Sequence, residues 1–429
     1  MTDRDSRIGS AVLVSQYFPP LNIIASQRAM RMANTLLNKF EIVYVVTLPT
    51  HNIPDDLLDL DYGKEFLNNE RLKIINASPV LTGYGYVKKR NVFHRFIGAF
   101  VTRVLCSSGI DWIPSLKKAL SRVIDNADVK LIVSSGGPFI PFCTVAKLAD
   151  KKNIPCIIDY RDLWSQNPIA SYPKIARIFV GKTFEQYVNK LATVITTVSE
   201  GCAKAILEAH PAARVKILPN YPDNSYKKLF SNLSLCSESN EFNQKTLNIV
   251  LTGTIYKECT CRLLVDALKL MPEKWRDHVI VHYYGSTSDI IEHDFRVQGM
   301  LDNLMDHGFV NKYKAIQAVK KADLLLSLVY DGPANKQNPV NGLMTTKVFD
   351  YFLSGNPILN IGPLTGDLNL LAEKNGYKEF YSFESCQAPE MAEFLLNALQ
   401  NLSDFRKREI QVKLPDFSEC FESIIDNVR

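Results

Sequence analysis

Short apolar runs alternate with amphipathic stretches along almost the whole chain. Ala11 to Val14 is apolar throughout and predicts a buried parallel strand. Pro19-Pro20 keeps the next loop, SQYFPPLNIIASQR, out of helix until about Asn22. A helix to about Asn38 follows, with Met30, Ala33, Leu36 and Leu37 facing in, then a strand over Glu41 to Thr47. This is a βαβ unit. Further strands are predicted at Leu131 to Ser135, Pro155 to Asp159, Val194 to Val198 and Ile217 to Asn220. The pattern dissolves into a polar run from Tyr221 to Thr246 and begins afresh at Leu247 to Leu251, Val279 to Tyr284 and Asp323 to Val329. The organisation read from this is residues 1–222 as one α/β domain, 223–246 as linker, 247–400 as a second α/β domain, and 401–429 as a helical tail that can pack back on the first.

The stretch Gly342 to Leu359 stands out. Thr345 or Thr346 can cap a helix start, and Ser354-Gly355-Asn356-Pro357 ends it, because glycine suits the left-handed C′ position and proline cannot continue a helix. At helical spacing Lys347, Asp350, Tyr351 and Ser354 share one face, with Phe349, Phe352 and Leu353 on the other. The pattern accommodates a surface Lys347–Asp350 pair, or a cation aimed with the helix N-terminus at a phosphate.

Lys88 to Leu105 is basic and amphipathic. Phe93, Phe96, Ile97, Phe100, Val101 and Val104 recur at helical spacing, while Lys88, Lys89, Arg90, Arg95 and Arg103 supply charge. Residues 88–105 suit docking on an anionic membrane surface, and equally an ordinary core-facing helix. Both readings stand on the sequence alone.

At 429 residues, two domains are the natural expectation, and a hydrophobic content of 46% fills two cores. The net charge of +5 is spread too thinly to indicate nucleic acid. Nine scattered cysteines favour a reducing cytosol, and the polar, acidic start does not read as a signal peptide. No run approaches a membrane span, so a cytoplasmic protein is expected, either soluble or bound peripherally at the inner face of the cell membrane. Asp59-Leu60-Asp61 lacks the strand that a metal-binding D-x-D would follow. The near P-loop at ARIFVGKT lacks its first glycine and reads as helix. Cys259-Thr260-Cys261 has no second pair, so no metal site is expected.

Two loops at predicted strand ends carry candidate chemistry. Ser135-Gly136-Gly137-Pro138 permits close approach of backbone to a ligand, and Arg161-Asp162 follows another strand. The bland alternative for the second is a loop salt bridge beside a core Trp164.

The chain resembles family 4 retaining glycosyltransferases of the GT-B architecture, particularly members of bacterial surface-polysaccharide clusters. The resemblance rests on YFPP at Tyr17 to Pro20, Arg28, SSGGP at Ser134 to Pro138, DYRDLW at Asp159 to Trp164, TTVSEG at Thr196 to Gly201 and LPNYPD at Leu218 to Asp223. In the second half it rests on TGTIY at Thr252 to Tyr256, HYYG at His282 to Gly285, HGFV at His307 to Val310, and TKVFDYFLSGNPIL from Thr346. It implies an α/β fold with two Rossmann-like domains whose parallel sheets face across a cleft. It implies sugar transfer from a nucleotide-diphosphate sugar to an acceptor hydroxyl on a lipid-linked or growing glycan, with retention and without cofactor or metal. Donor contacts would fall to Gly253, Thr254, Lys257, Arg262, Thr346, Lys347 and Asp350; Arg28, Gly136 and Gly137 would line the acceptor side, with Arg161 and Asp162 as the catalytic candidates.

The departures are specific. In the family's Glu-x₇-Glu motif Asp350 replaces the second Glu and Gly342 the first. Leu21-Asn22-Ile23-Ile24 replaces the usual Gly-Gly, and Arg161 and Asp162 stand where a His is usual. A GT-B-like protein that binds nucleotide or glycan without transfer, and a nucleotide-sugar 2-epimerase, are the competing readings.

Overall fold

The computed structural model describes residues 7–53, 55–80, 92–167, 170, 172–233, 242–256, 259–329, 344–406 and 412–428. Lys88, Lys89, Arg90, Lys257 and Gly342 lie outside them. The chain forms two compact units: Met1–Asn220 with Asp416–Arg429, and Tyr221–Pro415.

Among the described residues the first unit holds seven parallel strands: β1 (Ser10–Val14), β2 (Ile42–Thr47), β3 (Leu72–Asn76), β4 (Val129–Ser135), β5 (Cys156–Tyr160), β6 (Val194–Thr197) and β7 (Val215–Ile217). Their spatial order is β3-β2-β1-β4-β5-β6-β7. Helices cover both faces, so β1 and β5 are buried at every position, which is why they read as continuous apolar runs. The expected strand over 217–220 is displaced to Val215–Ile217, and Leu218 and Asn220 serve instead as hydrogen-bond partners of Arg28. On the first helix, Ile24–Lys39, Met32 is fully buried, whereas the expected Met30 is half-buried.

The tail divides. Leu402–Phe405 is a helical turn of the second unit, while the helix Phe417–Asp426 packs on Ile24–Lys39 in the first. Asp416 caps that helix by accepting from the Ser418 and Glu419 amides. Lys39 pairs with Asp426 at 2.6 Å, and Phe417 lies beneath Arg28 and Arg31.

Among the described residues the second unit has six parallel strands: β8 (Leu247–Thr252), β9 (Val279–Tyr284), β10 (Leu304–Asp306), β11 (Leu324–Leu328), β12 (Ile358–Ile361) and β13 (Phe380–Phe383), in the order β10-β9-β8-β11-β12-β13. One sheet face presents Leu247, Ile249, Leu251, Leu324 and Leu326 to a core closed by helices Arg262–Leu270 and Ala388–Gln400. Part of the expected linker belongs here: Asn224–Asn232 is a helix capped by Asp223, which accepts from the Tyr226 amide at 2.8 Å. In both units the strand order reverses beside the first strand, between β1 and β4 and between β8 and β11. In doubly wound sheets ligands bind outside the carboxyl ends of the strands at such points.

Candidate functional site

In the second unit the reversal point brings together the loop after β8 and the helix Lys347–Ser354. Gly253 adopts φ +82°, a left-handed conformation, and its amide donates to the Tyr284 carbonyl at 2.8 Å. That amide is therefore engaged within the sheet end. The loop is held from below. The Tyr283 hydroxyl donates to the Gly253 carbonyl at 3.0 Å, and Thr287 Oγ1 accepts from the Ile255 amide at 2.8 Å and meets the Tyr283 hydroxyl at 2.7 Å. Gly285 must be glycine: a Cβ there would lie 2.2 Å from the Tyr283 hydroxyl and 2.4 Å from the Gly253 carbonyl. Gly253 and Thr254 remain exposed at the tip.

Lys347 reaches this loop from the helix start. Its Cε lies 3.9 Å from where a Cβ on Gly253 would sit. Burial lowers its ammonium to about 8, against an opposing effect of the Cys259 and Cys261 thiols. Such an ammonium is still charged at neutral pH, yet it has lost part of its water shell and gains more from an incoming anion.

The helix around Lys347 differs from expectation in two ways. Thr346 is at the N-cap position but in αR geometry, and its side chain makes no capping bond. Tyr351, placed by spacing on a polar face, is fully buried. Its hydroxyl donates to the Leu326 carbonyl and accepts from the Thr252 amide, each at 3.2 Å, tying together the ends of β8 and β11. The C-terminus is as read: Gly355 is left-handed at φ +73°.

Asp350 accepts from the Tyr226 hydroxyl at 2.7 Å. The ammonium of Lys312 sits 4.0 Å above the Tyr226 ring. Sequence reading missed Tyr226 by assigning its segment to a linker. The available signal was the Asp223 cap followed by Tyr226, Leu229, Phe230 and Leu233 at helical spacing. Arg262 is largely exposed and pairs with Asp266 at 3.7 Å, one turn along its own helix.

In the first unit the carboxyl ends of β4 and β5 gather Gly136, Gly137 and Arg161. The Gly136 amide donates to the Asp159 carbonyl at 2.9 Å. A Cβ on Gly137 would lie 3.2 Å from the Arg161 guanidinium, so arginine and loop are in close contact. Arg161 pairs with Asp162 at 3.1 Å. Trp164 is fully buried, donating to the Leu105 carbonyl at 3.1 Å and stacked on Phe139.

Arg28 requires a correction. It is fully buried and so offers no surface to an acceptor. Its guanidinium bonds both carboxylate oxygens of Asp159 at 2.9 and 2.7 Å, Asn220 Oδ1 at 2.8 Å and the Leu218 carbonyl at 3.1 Å. Ser135, Asp159 and Thr196 sit side by side in register on β4, β5 and β6. The two hydroxyls donate to the same carboxylate at 2.7 and 2.8 Å. Despite its burial, these partners hold the Asp159 carboxyl below its ordinary range.

No family model matches the chain, and no curated protein matches it. Solved structures do align along nearly its whole length. HepE of Anabaena, in complex with UDP and glucose, matches at 12% identity over 98% of this chain and 99% of that one, with a TM-score of 0.57. The fold is GT-B. Sucrose-phosphate synthase of Thermosynechococcus elongatus matches at 11% identity over 98% of this chain and 94% of its own, also with a TM-score of 0.57. WaaG, a glycosyltransferase involved in lipopolysaccharide biosynthesis, matches at 13% identity, 97% and 95% coverage and a TM-score of 0.54. In a GT-B fold the two reversal points belong to separate Rossmann-like units, and each unit of this chain carries its own set of candidate residues.

Proposed function

We propose that this chain is a glycosyltransferase that moves a sugar from a nucleotide-diphosphate sugar to an acceptor hydroxyl on a lipid-linked or growing surface glycan, with retention of configuration and without a metal. The observation that carries the reading is Lys347 Cε beside the exposed Gly253 loop at the reversal point of the second sheet. Negative charge grows on the leaving diphosphate as the glycosidic bond breaks. A cation already in place there stabilises the transition state more than the ground state. Lys347 takes that part, Thr254 and the N-terminus of its helix support it, and Asp350 holds the ribose hydroxyls. Arg262, Thr346 and Lys257 complete the donor candidates.

The acceptor is assigned to the first unit, where Gly136, Gly137, Arg161 and Asp162 gather. Asp162 is exposed and already paired with Arg161, so its part in this reading is to orient the arginine. A second reading, binding of nucleotide or glycan without transfer, is favoured by Gly342 in place of the first carboxylate of the resembled motif.

Incubation with a panel of nucleotide sugars and a lipid-linked acceptor separates these readings. Free nucleoside diphosphate together with glycosylated acceptor is expected. Binding without turnover supports the second reading, and an epimerised donor indicates a 2-epimerase.

A further inference from the structure

Two neighbouring helices of the first unit turn apolar side chains outward. On Val92–Leu105, Phe96 and Phe100 are 74% and 70% exposed, and Val104 lies on the same face one turn on. The helix Lys174–Val180 touches it and exposes Ile175, at 83%, together with Ile178 and Phe179. A core-facing helix would bury the phenylalanines, so the bland reading of 88–105 does not hold for them. Side chains of this size are placed together in water only where something covers them.

Charge identifies the cover. Neither 92–105 nor 172–184 contains an aspartate or glutamate, whereas Arg103, Lys174, Arg177 and Lys182 fall within these two segments. A second copy of the chain is a poor occupant, because a two-fold contact would set these cations against their own copies. We infer that the two helices form one monotopic membrane-docking face, with Phe96, Phe100, Ile175 and Phe179 entering the acyl boundary and the basic residues meeting anionic headgroups. Helix 174–180, which the sequence pattern left unassigned to any surface, adds Ile175, Ile178 and Phe179 to the face. The inference stands apart from the transferase reading, since it rests on exposure and charge and is tested without turnover.

Flotation of the full chain with phosphatidylcholine vesicles, with and without phosphatidylglycerol, tests it. Binding is expected only with the anionic lipid, weakening as salt rises. F96S/F100S and I175S/F179S each lower bound protein by at least about tenfold, and K174E weakens it roughly fivefold or more. All these positions are exposed, and an unchanged thermal midpoint confirms that the variants fold. Equal binding to neutral vesicles, no binding to either, or a wild-type dimer that F96S/F100S dissociates would each overturn the proposal.

Discussion

Arg28 and Asp159 form a bidentate ion pair in which neither side chain has any exposed surface. Residues 131 apart in sequence thereby join the first helix to the ladder of β4, β5 and β6. Phe417, from the returning C-terminal helix, lies against the guanidinium at 5.4 Å. Removing one partner strands the other charge. Arg28→Ala or Asp159→Ala is expected to cost about 3–5 kcal/mol, and Arg28→Lys nearly as much because it loses the fork. Urea unfolding read through Trp112 and Trp164 measures the first unit, with Trp275 reporting the second. A loss below about 1 kcal/mol would contradict the structural assignment of Arg28.

Lys347 supplies a pH signature. Its ammonium is held at about 8, and a bound diphosphate favours the charged form. Affinity for a nucleoside diphosphate is therefore level below that value and falls roughly tenfold per pH unit above it, until the ligand-bound ammonium itself titrates. Lys347→Ala removes the slope and slows turnover by about 2–4 kcal/mol of barrier. Titration calorimetry from pH 6.5 upward, paired with steady-state kinetics, checks both. A wild type with pH-independent affinity would exclude Lys347 from the diphosphate site.

The Tyr226 hydroxyl orients the Asp350 carboxylate. Tyr226→Phe keeps the ring beneath Lys312 and removes the hydroxyl that Asp350 accepts from. Nucleoside diphosphate affinity should fall by about 1–2 kcal/mol, with the thermal midpoint little changed. Asp350→Asn should lose at least as much, and the double variant no more than the larger single one. Additive losses in the double-mutant cycle would show that the two residues act separately.

Glu185 lies fully buried in the π-helical turn Gly181–Glu185, accepting a hydrogen bond from Ser165 Oγ. Burial raises its carboxyl to about 7 from an ordinary value near 4.5. The folded state thus holds a proton that the unfolded chain releases. Stability falls as pH rises from about 4.5 through 7, by at most about 3 kcal/mol, and the cost is fully present above 7. Glu185→Gln is expected to flatten this profile between pH 5 and 7.5. An unchanged profile would place the titration elsewhere.

The alternation of apolar runs and amphipathic segments was enough to read the α/β class and the renewed start at Leu247, because parallel strands buried on both faces leave continuous hydrophobic stretches. Local chemistry was equally legible: Gly355 ends its helix because only glycine takes φ +73° without strain. The sequence also singled out Lys347. Tertiary structure decided what these residues touch. Spacing placed Tyr351 on a polar face, yet its hydroxyl is needed to join β8 to β11, two strands that are neighbours in space and far apart in the chain. Arg28 looked like a ligand group until Asp159, Leu218 and Asn220 closed around it. Phe96 and Phe100 had the spacing of a core helix, and only the packed unit left them outside. Periodicity records how a segment divides its faces; which face is covered depends on partners that the segment does not encode.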